Sequence, residues 1–196
     1  METLVEHLKD FFISLENPIL QAFVGGLFTW GLTAIGAGMV FLFKSANRRT
    51  LDMCLGFTGG VMIAASFWSL LSPAISAVEI QQELGITNLP VWFAPATGFL
   101  LGALFLYFLD KKIPHLHLFE KLEKAEGPKT NLKKTELLVL AIALHNIPEG
   151  LAVGVAFGAL AHSMDIGIEL GGAIALAIGM GIQNAPEGFA VSMPLR

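Results

Sequence analysis

The sequence predicts an all-α integral membrane protein of about five transmembrane helices, preceded by a short amphipathic helix. Composition and the spacing of its apolar runs lead there. Of 196 residues, 54% are hydrophobic and only 14% charged, whereas a soluble domain carries about a quarter charged residues. Mean hydropathy is +0.67. The uncharged runs are long enough for spanning helices, which need about 20 residues each. The expected partner is a lipid bilayer and not nucleic acid. One cysteine, Cys54, rules out an intrachain disulfide and a cysteine-based zinc site; within its apolar stretch it reads as a small packing residue.

Residues 1–17 place Leu4, Val5, Leu8, Phe11, Phe12 and Leu15 near helical spacing, with Glu2, Glu6, Lys9 and Asp10 between them. That pattern fits a helix lying in the membrane interface. The acidic start lacks the basic region of a cleavable signal peptide, so none is expected. After Asn17-Pro18, the run Ile19 to Phe43 carries no charge and is studded with glycines, as where helix backbones approach closely in lipid. A basic stop at Lys44, Arg48 and Arg49 follows. The second run is Met53 to Val78, the loop after it holds Glu79 and Glu83, and the third run reaches Leu109 through Pro90 and Pro95. Residues 18–109 thus carry three spans. Residues 110–136 form the only long polar segment, rich in Lys and Glu, and His115 and His117 within it read as solvated loop residues. Residues 137–196 carry the fourth and fifth runs, Leu137 to Leu160 and Leu170 to Leu195, joined by a short loop with His162 and Asp165.

Basic residues decide the orientation. Those after run one, the seven lysines between runs three and four, and Arg196 share one side of the membrane, and only Lys9 falls on the other. The positive-inside rule then places the N-terminus outside and the long loop in the cytoplasm.

The chemistry concentrates in two polar hexapeptides embedded in Leu, Ala, Val, Ile and Gly. They are His145-Asn-Ile-Pro-Glu-Gly150 and Gln183-Asn-Ala-Pro-Glu-Gly188. An ionisable residue in so apolar a segment is costly and reads as functional. Helical periodicity puts His145 and Glu149 on one face, one turn apart, and gives Gln183 and Glu187 the same relation. Antiparallel neighbouring helices would bring the four side chains to one depth in the bilayer. An imidazole, two carboxylates and an amide oxygen suit a divalent first-row cation such as Zn²⁺. Without a cation, facing carboxylates would repel each other in low dielectric. Pro148 and Pro186 cannot donate a backbone hydrogen bond, so the carbonyls of Leu144 and Ile182 lose their helical partners and each helix is expected to kink. Broken helices with polar residues at mid-bilayer are how transporters build substrate sites. A membrane zinc protease would need His-Glu-x-x-His; here Asn146 stands where the general base would be, and the chain does not read as an enzyme.

These residues resemble the ZIP divalent metal transporters, and within them the bacterial GufA-like branch. The signature is His-Asn-x-Pro-Glu-Gly in the fourth run, with Gln-Asn-Ala-Pro-Glu-Gly in the fifth. The stretch Gly59 to Phe67 resembles the family's second helix, and the histidine-bearing loop resembles its cytoplasmic loop. The resemblance implies an eight-helix bundle, of which this chain would lack the last three helices. It also implies a binuclear site. Met62, His145, Glu149, Gln183 and Glu187 would hold one metal, and Asn146, Glu149, Asn184 and Glu187 the second. The expected cargo is Zn²⁺, with Cd²⁺, Fe²⁺ and Mn²⁺ as further candidates. The implied setting is the bacterial inner membrane, with a homodimer compatible. The other expectation held open is a metal-binding fragment or sensor without transport.

Overall fold

The computed structural model describes residues 2–42, 48–117, 120–162 and 169–195. Lys44, Asp165, Arg196 and the side chain of His162 lie outside that description. Seven α-helices are described: α1 (Glu2–Ser14), α2 (Pro18–Gly38), α3 (Arg48–Ala64), α4 (Ser72–Glu83), α5 (Phe93–Lys112), α6 (Lys134–Gly158) and α7 (Leu170–Ser192). Among the described residues no strand forms, and the only β pairing is an isolated bridge between His115 and Glu126.

Local chemistry explains the boundaries. Asn17 caps α2: its Oδ1 accepts from the N–H of Ile19 at 2.9 Å, and Pro18 opens the helix, where its missing N–H costs nothing. At the start of α6, the Glu136 carboxylate accepts from the backbone N–H of Lys133 at 2.7 Å. Lys111 and Lys112 close α5, where cations complement the helix dipole. α3 continues into α4 through a π-helical turn, Ala65–Leu71. The second run is therefore longer than its apolar composition indicates, and Glu79 and Glu83 ride on α4 rather than on a loop.

Four helical stretches are long and apolar enough to cross a membrane: Pro18–Phe41, Arg48–Glu83, Phe93–Lys112 and Lys134–Ala161. The fifth expected span, α7, has 23 residues, about 34 Å at 1.5 Å per residue. It is not among those four, because Gln183, Asn184 and Glu187 reduce its hydropathy. It does not need to be as apolar, since it is the central helix, enclosed by α1, α2, α3 and α6. Leu176, Ala177, Gln183 and Ala190 on it are all buried. Lipid meets mainly its neighbours.

α2 lies along α7 more extensively than any other pair of helices. Gly36 and Gly188 permit this. A Cβ at Gly36 would run into the backbone of Ala185, and one at Gly188 into the backbone of Thr33. α1 folds onto this core: Phe12 stacks on Phe157 of α6 with centroids 5.1 Å apart, and its carbonyl accepts from the buried side chain of Gln21 at 2.8 Å. α5 stands apart, packing mainly on α4, with Phe99, Leu101, Leu104 and Phe105 exposed.

Candidate metal centre

The two prolines do not interrupt their helices; α6 and α7 run continuously through Pro148 and Pro186. The turn around each proline carries the polar residues, and the two turns face each other. His145 Nε2 lies 3.6 Å from Glu187 Oε1 and 4.0 Å from Glu149 Oε1. One ligand atom from each of His145, Glu149 and Glu187 falls within 4.8 Å of the others. Glu149 and Glu187 are buried, while His145 is 44% exposed on its side chain. Its side chain lines two cavities. One, of about 460 Å³, is lined by Asp52, Thr58, Met62, His117, His145 and Glu187 among others. The other, of about 230 Å³, runs from His145 and Pro148 to Asp110, His115 and His117.

Gln183 is fully buried and donates its amide to Glu149 Oε1. Its own carbonyl oxygen, Oε1, has no hydrogen-bond partner, nor has Glu187 Oε2. Two buried oxygens without donors, beside an imidazole, form a donor set that a divalent cation would complete. Asn184 is different. In one amide orientation its oxygen accepts from Gln183 Nε2 at 3.2 Å. In the other it accepts from Thr33 Oγ1 at 3.3 Å, while the amide nitrogen donates to Glu149 Oε2 at 3.1 Å and the Met180 carbonyl at 3.0 Å. Either way that oxygen already holds a protein hydrogen bond.

Thus the structure gathers Met62, His145 and Glu187 around one cavity and ties Glu149, Gln183 and Asn184 into the polar network behind it. Asn146, half-buried, lines neither of the two cavities. Sequence reasoning missed Thr58 and Asp52, which share the cavity with Met62. Their positions one turn and nearly three turns before Met62 on the same helix were the available signal. It also misjudged His115 as solvated. That ring is 2% exposed, with Nδ1 2.9 Å from the Ile113 carbonyl and Nε2 3.0 Å from Asp110 Oδ1. The bridge to Glu126 and the buried Leu116 beside it fold this part of the loop against the bundle. His117, 59% exposed on its side chain, lies 3.5 Å from Glu126 Oε1, and together with His115 these form a second group of ligand-type side chains.

An all-α membrane protein with two buried carboxylates and an imidazole gathered between two proline-bearing helices is the class that fold and site define. No protein-family model matches the chain. It is 37% identical to the zinc transporter ZIP11 of Homo sapiens, across 92% of this chain and 72% of that protein. It is 38% identical to the zinc transporter ZIPB of Bordetella bronchiseptica, across 79% of this chain and 48% of the relative. With the zinc transporter GufA of Myxococcus xanthus it shares 36% identity, across 76% and 56% respectively. The chain therefore belongs to the ZIP family of zinc transporters, GufA-like members included. It spans about half the length of these bacterial relatives.

Proposed function

We propose that this protein carries Zn²⁺ across a bacterial inner membrane into the cytoplasm, as a transporter and not an enzyme. The observation that carries the reading is the meeting of His145, Glu149 and Glu187 within 4.8 Å, inside helices otherwise apolar enough for lipid. Burying two carboxylates there without a cation is unfavourable, and a divalent ion offsets that cost. Met62, His145, Glu149, Gln183 and Glu187 form the primary site, with the unpartnered Gln183 and Glu187 oxygens directed to the ion. A second ion bridged by the two glutamates would also draw on Asn146 and Asn184, and Asn184 must first give up its hydrogen bond. Cd²⁺ fits the same donors and the Met62 thioether; Fe²⁺ and Mn²⁺ are harder cations, less suited to that sulfur.

The two cavities at the site lie on the side of His117 and give the path its exit. With the lysine-rich loop in the cytoplasm, ions enter from the side of Glu79 and Glu83. They leave through the larger cavity, past Thr58 and Asp52 toward His117.

Uptake of Zn²⁺ and Cd²⁺ into proteoliposomes, comparing the protein with its His145→Ala, Glu187→Ala double variant, tests this. Saturable uptake lost in the variant supports transport. Metal binding without uptake would reduce the protein to a metal-binding module. Equal binding by parent and variant would remove the site.

A further inference from the structure

We infer that Thr58 is a positioning residue for the metal site, holding the Met62 face of α3 in register with the Gln183 turn of α7. The inference rests on the metal-site reading above. Thr58 is 4% exposed, and its hydroxyl donates to the backbone carbonyl of Gln183 at 3.3 Å.

The location gives that bond its consequence. Pro186 has no N–H, so the Ile182 carbonyl lacks its helical donor, and the turn around Gln183 is the part of α7 least fixed by its own helix. The Gln183 side chain must nonetheless be held closely, since its amide nitrogen engages Glu149. Its oxygen is also one of the two buried, unpartnered oxygens of the site. A donor from outside the helix, on the carbonyl of that same residue, fixes the backbone from which the side chain projects.

On α3, Thr58 precedes Met62 by one helical turn, so the two lie on one face, and both line the cavity reached by His145 and Glu187. Beyond Met62 the helix opens into the π turn at Ala65–Leu71, which shifts the register of everything after it. The Thr58 bond is thus the fixed point before that shift. It sets how far α3 is advanced along α7, and with it the distance from the Met62 sulfur to Glu187.

The test is Zn²⁺ affinity of the purified protein, by competition with a chromophoric chelator, for Thr58→Val and Thr58→Ser. Valine keeps the shape and removes the donor; serine keeps the donor and removes the methyl. Supporting groups around metal ligands are worth roughly 10- to 100-fold in affinity, so Thr58→Val should bind at least about tenfold more weakly. Thr58→Ser should stay within about twofold, and melting temperatures should agree. If Thr58→Val does not fold, Thr58→Ala takes its place with the same expected loss. Parental affinity in the valine or alanine variant overturns the inference. So does an equal loss in the serine variant, which would make the methyl's packing the cause. Should the parent and His145→Ala, Glu187→Ala proteins bind alike, the site reading fails and this inference with it. If that double variant loses binding while Thr58→Val keeps it, only the role of Thr58 falls.

Discussion

At the scale of single residues, what distinguishes this centre is which polar atoms are already engaged and which are not. Glu149 accepts from Gln183, and Asn184 is bonded in either amide orientation, whereas Gln183 Oε1 and Glu187 Oε2 have no donors. Replacing a carboxylate by its amide removes charge but little volume. Glu187→Gln is therefore expected to weaken Zn²⁺ binding by at least about tenfold, equivalent to ~1.4 kcal/mol, by titration calorimetry. Asn184→Asp has the opposite expectation. A carboxylate in place of an amide adds a ligand charge facing Glu149, and the same calorimetry should show a higher Zn²⁺ stoichiometry than the parent.

At the scale of elements, the site depends on how closely α2 approaches α7. The contact is built on Gly36 against Ala185 and Gly188 against Thr33, within the turn that carries Pro186 and Glu187. A methyl group at either glycine meets backbone rather than a flexible side chain, so the helices must move apart. Gly36→Ala and Gly188→Ala should each destabilise the protein by about 1–3 kcal/mol, as overpacking does, with a lower melting temperature in detergent and weaker metal binding. The attachment of α1 is more local. Gln21→Ala removes the donor to the Phe12 carbonyl, and backbone amides of residues 6–14 should exchange hydrogen faster while those of α6 and α7 do not.

At the scale of the whole molecule, one helix is central and the others shield it. α7 carries Gln183, Asn184 and Glu187 and is the most deeply buried of the described helices, while α5 shows apolar side chains over most of its surface. The proposed orientation rests on the distribution of basic residues. With Cys54 replaced by serine, a single cysteine introduced at Glu6 should react with a membrane-impermeant maleimide added outside cells. One introduced at Lys129 should react only after the membrane is opened. The reverse pattern would invert the proposed direction of metal movement.

Most of the helices and the core of the site are legible in the sequence because their signals are local. Uncharged runs of spanning length, Asn17-Pro18 at a helix start and the one-turn spacing of His145 to Glu149 each follow from backbone geometry within one segment. The chain by itself therefore determined an all-α membrane protein with two matching polar turns. Tertiary structure decided what depends on packing between segments. α7 takes the centre, where burial by other helices permits a less apolar sequence. The buried His115 and the bond from Thr58 to Gln183 join residues that no sequence period relates. The glycines that bring α2 onto α7 look in sequence like any others in the first run. Which of them touches a backbone is fixed only when the helices meet.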